Sequence, residues 1–153
     1  MRFIRVHAQD RGIDKSKIGI MGFSAGGELV TLIAFDDFRG QDKAKDVIER
    51  KPAHPNFLIQ IYPGPLGTPK EIEKGAIPAF LLVSNGDACC SDPVIELLKA
   101  YHKAGAPVEV HIYDKGDHGF NMGDRSEFIT IRTWPDRLAD WLRDYNFFAP
   151  IRK

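Results

Sequence analysis

The chain has 153 residues, of which 43% are hydrophobic and 27% charged, and its 21 Lys and Arg residues balance 21 Asp and Glu residues. This length and composition favour one globular domain, residues 1–153, with enough apolar side chain for a core. The balanced charge argues against a nucleic acid or an acidic membrane surface as a partner, so we expect a small-molecule site.

Strand-like and helical patterns alternate along the chain. Nearly continuous apolar runs at residues 18–21, 57–62 and 79–84 are typical of strands buried on both faces of a parallel sheet. The run at 108–113 partly alternates, as in a strand nearer an edge. Helical patterns occur at residues 3–9, 27–35, 91–105 and about 133–145. The alternation predicts an α/β fold, with a mostly parallel sheet of about four strands flanked by helices.

Local signals support the last two helices. Asp92 is a good N-cap, Pro93 suits a first helical turn, and Gly105 suits a C-cap. In the final helix, apolar residues at helical spacing form one stripe, made of Trp134, Leu138, Trp141, Leu142 and Tyr145.

Two other segments are predicted to lack strands. The polar residues 36–55 indicate a surface excursion with a short helix around 44–49. Residues 62–71 are rich in Gly and Pro and indicate a loop that leaves the second strand. Parallel sheets place their ligands at that end of the strands.

Neither a membrane span nor a leader is predicted. No stretch approaches the roughly 18 apolar residues that a span needs, and the charged residues 1–12 lack the apolar centre of a secretory signal. The cysteines, Cys89 and Cys90, are adjacent, which is a poor arrangement for a structural disulfide, and two residues are too few for a metal site. We therefore expect reduced cysteines, a cytoplasmic location, no metal ion and no cofactor.

The motif Gly22-Phe23-Ser24-Ala25-Gly26 carries the clearest chemistry. It matches G-x-S-x-G, in which small residues two positions before and after the serine allow a tight strand-to-helix turn that exposes the hydroxyl. An apolar strand precedes the motif and a helix follows it, so Ser24 is a candidate nucleophile. The amide of Ala25 would donate to an oxyanion. The alternative is a Gly-rich turn that binds phosphate.

A nucleophilic serine needs a base, and in this arrangement an acid and then a histidine follow it along the chain. His118 lies in a Gly-flanked loop directly after the fourth strand, whereas the other four histidines fall in predicted helices, a strand or the polar excursion. Asp87 follows the third strand and is the preferred acid, although Asn85-Gly86 beside it also indicates a simple turn. Asp92, in the same loop, is the second candidate.

The chain resembles the acetylesterase-type branch of the α/β-hydrolases, whose core is similar to that of dienelactone hydrolases and prolyl oligopeptidases. The segments that carry the resemblance are "RGIDKSKIGIMGFSAGGEL", "FLIQIYPG", "IPAFLLVSNGD", "AYHKAGAPVEVHIYDKGDHGF" and "WPDRLADWLRDY". The resemblance implies a triad of Ser24, Asp87 and His118. The stretch "ACCSDPV" after Asp87 departs from the family pattern and keeps Asp92 open as the acid.

Family members have further strands before the nucleophile strand and a His-Gly-Gly-Gly-like loop that gives a second oxyanion donor. The chain therefore resembles the C-terminal half of such an enzyme. Its nucleophile strand would be an exposed edge, and an unpaired edge is a template for another chain. We expect a homo-oligomer that covers residues 18–21, with a second donor lacking or supplied by a partner.

These observations predict a serine esterase that hydrolyses short-chain acyl esters, with acetylated carbohydrates implied by the resemblance. Four side chains could line the acyl and alcohol pockets: Phe23, Tyr62, Pro65 and Phe120. A dienelactone hydrolase-like or peptidase-like activity is one alternative, although the elbow holds serine rather than cysteine. The other alternative is a non-catalytic half-fold or interaction module.

Overall fold

The computed structural model describes residues 1–35 and 39–148. In these residues β-strands and α-helices alternate in the order α1 (Arg2–Val6), β1 (Ile20–Phe23), α2 (Ala25–Phe35), β2 (Leu58–Ile61), β3 (Ala79–Ser84), α3 (Ser91–Ala104), β4 (Val108–Tyr113), α4 (Ile129–Arg132) and α5 (Trp134–Asp144). The four strands form one parallel sheet in the order β1-β2-β3-β4. The predicted α/β fold with a parallel sheet is confirmed.

Burial explains why these strands are apolar runs in the sequence. Every residue of β2 and β3 is buried, because both strands are central and both of their faces are covered. The edge strand β4 is only partly buried, as its alternating pattern predicted. β1 is the other edge among the described strands, so the predicted edge position of this strand is confirmed.

Helices cover both faces of the sheet. On one face, the Gln60 side chain of β2 donates to the Gly27 carbonyl of α2 over 2.7 Å. α3 lies beside α2, since the rings of Tyr101 and Phe35 meet at 6.2 Å. On the other face, Trp141 of α5 lies 5.7 Å from the ring of Phe80, a residue of β3. The result is a layer of helices on each side of a buried sheet.

Several predicted bounds need correction. β1 begins at Ile20 rather than at residue 18, because the Ile18 amide donates to the Asn56 side chain and not to a strand. α2 begins two residues earlier than predicted, at Ala25, directly after the elbow. Residues 44–49 form bends and a turn instead of a short helix. Part of the predicted polar excursion, residues 36–38, lies outside the described residues.

The helix ends follow the prediction only in part. Gly105 is the left-handed C-cap of α3, with φ of 63°, as its position predicted. Asp92 is not the N-cap, because α3 begins at Ser91 and Cys90 takes the cap position. In α5 four of the five predicted stripe residues are buried, whereas Tyr145, which follows the helix, is exposed. The short helix α4 was not predicted.

Within residues 1–35 and 39–148, no helix combines the length and the apolar character that a membrane crossing requires.

Candidate functional site

The sheet topology brings four sequence-distant residues together at the carboxyl ends of the strands. Ser24 directly follows β1, Tyr62 follows β2, Asp87 comes shortly after β3, and His118 lies in the loop after β4. The strands are parallel and adjacent in chain order, so their carboxyl ends meet at the same edge. Three of these residues were predicted to form a triad, and the structure brings all three together.

The elbow at Ser24 is a single-residue reversal between strand and helix. Ser24 has φ of 51°, in the left-handed region that residues with a side chain rarely adopt. Its amide still donates to the Ile61 carbonyl at 3.0 Å, which continues the β1–β2 ladder, while its carbonyl accepts from Gly27 at 2.8 Å and so begins α2. Strained backbone of this kind is characteristic of functional sites, where the surrounding structure holds it in place.

The two glycines of the motif are not equivalent. A Cβ atom at Gly22 would lie 2.1 Å from the Gly26 carbonyl oxygen, so a side chain there clashes with backbone. A Cβ atom at Gly26 would meet no heavy atom within 4 Å. Only the first glycine is therefore required for the close approach of strand and helix in the described residues.

This difference predicts opposite effects on stability. Gly22→Ala should lower the free energy of unfolding by about 1–3 kcal/mol, because backbone on both sides of the elbow must shift. Gly26→Ala should leave it unchanged or raise it by up to about 1 kcal/mol, since alanine favours the helix. Urea unfolding followed by the fluorescence of Trp134 and Trp141 measures both variants. Equal destabilisation by the two substitutions would contradict this account of the elbow.

A hydrogen-bonded relay connects Ser24, His118 and Asp87. The Ser24 Oγ atom lies 2.8 Å from His118 Nε2. On the other side of the ring, His118 Nδ1 lies 2.7 Å from Asp87 Oδ2. A carboxylate at Nδ1 favours the tautomer with a proton on that nitrogen, which leaves Nε2 free to accept the serine proton. The three side chains thus have the order and spacing of a nucleophile, a base and an orienting acid.

The geometry favours Asp87 over Asp92 as the acid. Asp87 is 3% exposed, and its second oxygen, Oδ1, accepts the Cys89 amide at 3.2 Å, so both of its oxygens have partners. Asp92 is exposed in the first turn of α3 and makes no hydrogen bond to His118 within residues 1–35 and 39–148. A carboxylate that is buried and accepts a hydrogen bond at each oxygen holds an imidazole in place far better than an exposed carboxylate.

The predicted oxyanion donor is available. The Ala25 amide opens α2, where the first amides of a helix lack intrahelical partners. It makes no hydrogen bond within the described part of the chain, whereas the Gly27 and Glu28 amides already donate to the Ser24 carbonyl. The Ala25 N–H, with the positive end of the α2 dipole behind it, can therefore stabilise a negative oxygen beside Ser24.

The predicted pocket aromatics pack against the base. Tyr62 and Phe120 are each 4% exposed, and their rings meet edge to face at 4.7 Å. The Tyr62 ring also lies 4.7 Å from the His118 ring. Phe23 is half-buried, 6.0 Å from Tyr62. Packing accounts for most of the surface of these three side chains, and their contact with a substrate stays a prediction.

Two hydrogen bonds at Asn121 hold the loop that carries His118, and the sequence reasoning missed this residue. The Asn121 amide donates to the Tyr62 hydroxyl at 3.1 Å, and its carbonyl accepts the Trp134 indole N–H at 3.1 Å. Burial raises the pKa of Tyr62, so the phenol stays neutral at ordinary pH. Asn121 has a left-handed φ of 52°, a conformation that asparagine adopts more readily than most residues, so an asparagine in this loop was the available sequence signal.

The cysteines correct a prediction. Cys89 and Cys90 are joined by a disulfide between adjacent residues, although their adjacency argued against one. Residues 88–90 form a turn between Asp87 and α3, which brings both sulfur atoms to the same side of the chain. Cys90 is buried and Cys89 is exposed, with the Cys89 Sγ atom 3.7 Å from His118 Nδ1. The pair is therefore part of the surroundings of the base.

Comparison with known proteins agrees with the fold. A model of the dienelactone hydrolase family matches residues 2–151. An acetylxylan esterase of Xylanibacter ruminicola is 25% identical, over 80% of this chain and 30% of that protein.

Two solved structures are similar as well. The acetyl ester-xyloside bifunctional hydrolase of Caldicellulosiruptor lactoaceticus is 24% identical, with a TM-score of 0.85 over 97% of this chain and 64% of that one. The propionate-bound esterase Est2 of Thermogutta terrifontis is 23% identical, with a TM-score of 0.79 over 99% of this chain and 64% of that one. The chain thus spans less than two thirds of the length of each of these relatives.

Proposed function

This chain belongs to the dienelactone hydrolase family, and we propose that it is a serine esterase that hydrolyses short-chain acyl esters. The observation that carries the proposal is the relay from Ser24 through His118 to Asp87, with contacts of 2.8 and 2.7 Å. Family membership supports a hydrolytic reaction, and the serine at the elbow supports an acyl-enzyme route.

In the proposed mechanism, the Ser24 hydroxyl attacks the ester carbonyl while His118 Nε2 takes its proton. Asp87 keeps the imidazole oriented and stabilises its positive charge. The Ala25 N–H donates to the oxyanion of the tetrahedral intermediate. His118 then returns the proton to the leaving alcohol, and a water molecule, activated by the same nitrogen, hydrolyses the acyl-enzyme.

Turnover should be slow if Ala25 is the only oxyanion donor. Removal of one donor lowers kcat by about 10²–10³-fold where it has been measured. A subunit or segment that adds a second N–H beside Ser24 would raise the rate by a comparable factor.

Acetylated carbohydrates are the proposed substrate class within the short-chain esters. The name of the acetylxylan esterase supports this choice. A cavity of about 400 Å³ borders His118, and polar side chains contribute to its lining, among them Asp117, Arg125 and Glu127. Such groups can bind the hydroxyls of a sugar.

Hydrolysis of p-nitrophenyl acetate by the purified chain tests the esterase proposal. A fluorophosphonate probe gives a second readout, because it reacts with an activated serine even where turnover is slow. Peptide mass mapping should find the probe on Ser24. A folded chain with neither turnover nor labelling would instead support the non-catalytic alternative.

We also propose that β1 pairs with another copy of the chain. The amides of Ile20 and Ser24 donate to β2, so by alternation the Met21 amide points to the open edge of the sheet, and the Met21 side chain is 38% exposed. An unpaired edge of this kind is a template for strand addition.

This pairing predicts that Met21→Pro converts a dimer to a monomer, because proline removes the edge donor and is tolerated on edge strands. Met21→Val, which keeps the amide, is the matched control and should remain dimeric. Size-exclusion chromatography with light scattering at micromolar concentration measures both variants. A monomeric wild-type chain, or a Met21→Pro dimer as stable as the wild type, would rule out pairing through β1.

A further inference from the structure

Four side chains of metal-ligand type, the base among them, lie close together. They are Asp87, Cys89, Cys90 and His118, and their ligand atoms all lie within 4.8 Å of one another. Asp87 and Cys90 form the buried side of the group, while Cys89 and His118 face solvent. A cation could therefore enter from the outside and meet ligands on its inner side.

The oxidation state of the cysteines controls whether this group can bind a cation. The thiolate is the metal-binding form of cysteine, and the disulfide between Cys89 and Cys90 removes both thiols. A dithiol reductant breaks the S–S bond by supplying two electrons and two protons, and is itself converted to a disulfide. The two thiols that result lose their protons when a metal ion binds.

We propose that the reduced Cys89–Cys90 pair and His118 Nδ1 form a binding site for a thiophilic divalent cation of the Zn²⁺ class. Tetrahedral Zn²⁺, with Zn–S of about 2.3 Å and Zn–N of about 2.0 Å, holds its ligand atoms roughly 3.5–3.8 Å apart. In the disulfide form the ligand atoms already lie within 4.8 Å of one another, so side-chain rotation after reduction can complete the site. Asp87 or a water molecule fills the fourth position.

The effect of metal binding on catalysis depends on which nitrogen of His118 coordinates the metal ion. Nδ1 is the atom that faces both Asp87 at 2.7 Å and Cys89 Sγ at 3.7 Å. A neutral imidazole bound to a metal through Nδ1 carries its proton on Nε2. That nitrogen then cannot accept the Ser24 proton. Metal binding thus inactivates the proposed esterase, and the disulfide protects it.

The binding test uses the whole chain before and after treatment with dithiothreitol, which is then removed by anaerobic gel filtration. Cys89 and Cys90 are the only two cysteines of the sequence, so every thiol signal belongs to this site. Reduced chain should bind one Zn²⁺ by calorimetry and give the ultraviolet charge-transfer band of Cd²⁺–thiolate. Oxidised chain and the double variant Cys89→Ser/Cys90→Ser should show neither signal. His118→Gln should weaken binding by at least about 10–100-fold, the loss expected even for an outer partner.

An activity arm tests inactivation, and only this arm rests on the proposed function. At Zn²⁺ about ten times the Kd, hydrolysis by the reduced chain should fall roughly tenfold, in proportion to occupancy. The rate of the double serine variant, whatever its value without Zn²⁺, should not fall when Zn²⁺ is added. No Zn²⁺ binding to reduced chain, or equal binding by the double variant, overturns the site. Tight binding without inhibition of an active chain overturns the role of His118. A chain without turnover that still binds Zn²⁺ only when reduced would refute the esterase and keep the metal site.

Discussion

Ser24→Ala should lower kcat for p-nitrophenyl acetate by about 10⁴–10⁶-fold, the range expected when the nucleophile of a complete triad is removed. The Oγ atom that attacks the carbonyl is lost, and His118 Nε2, 2.8 Å away in the wild type, no longer has a proton to accept. Ser24 is only partly exposed and its side chain contacts the base, so the change to the folded structure is small. Fluorophosphonate labelling should disappear as well.

The matched control is Ser16→Ala. Ser16 is exposed before β1, so it lies at the opposite end of the strands, and its hydroxyl donates to Asp14 nearby. Its replacement should leave the rate within about twofold. The double variant Ser24→Ala/His118→Ala should be no slower than either single variant, because the two residues act as a unit. Similar turnover by Ser24→Ala and the wild type would refute the esterase proposal.

The fold was largely predictable because buried strands appear in the sequence as apolar runs. β3 and β4 have the predicted bounds, since each is a β-rich run preceded by proline and followed by turn residues. β1 was misplaced by two residues because Ile18 is apolar and buried, as a strand residue would be, while its amide bonds to the Asn56 side chain. The hydrophobicity of a residue indicates whether it is buried, but it does not indicate which acceptor its amide hydrogen-bonds to.

The candidate site was predictable to a similar degree, for a topological reason. Parallel strands adjacent in chain order put the residues after each strand at one edge, so Ser24, Asp87 and His118 could be grouped from their positions alone. The sequence favoured Asp87 over Asp92 as the acid but left that choice open. The choice depends on a turn at residues 88–90 that buries the first carboxylate and leaves the second exposed.

The cysteine pair was misjudged for a related reason. The prediction of reduced cysteines rested on the adjacency of Cys89 and Cys90, yet the two residues are joined by a disulfide. The same turn at 88–90 brings the two sulfur atoms together. Adjacency in the sequence does not show how a turn places two neighbouring side chains.

Asp87→Asn should lower kcat by about 10⁴-fold, the loss that follows when the orienting carboxylate of such a triad becomes an amide. The oxygen of the new side-chain amide can still accept the Cys89 N–H, so the turn should be preserved. The NH₂ group of that amide would face His118 Nδ1 and donate to it, which puts the imidazole proton on Nε2. In that tautomer the ring cannot accept the proton of Ser24, although the spacing of the three side chains is unchanged.

Asp92→Asn is the control that decides between the two acids. It also replaces a carboxylate by an amide in the same segment, but on an exposed side chain in the first turn of α3. Its rate should stay within about threefold of the wild type, and urea unfolding should show that both variants are folded. A large loss in Asp92→Asn with near-normal activity in Asp87→Asn would make Asp92 the acid. That result would mean that the 2.7 Å contact between Asp87 and His118 does not orient the imidazole during catalysis.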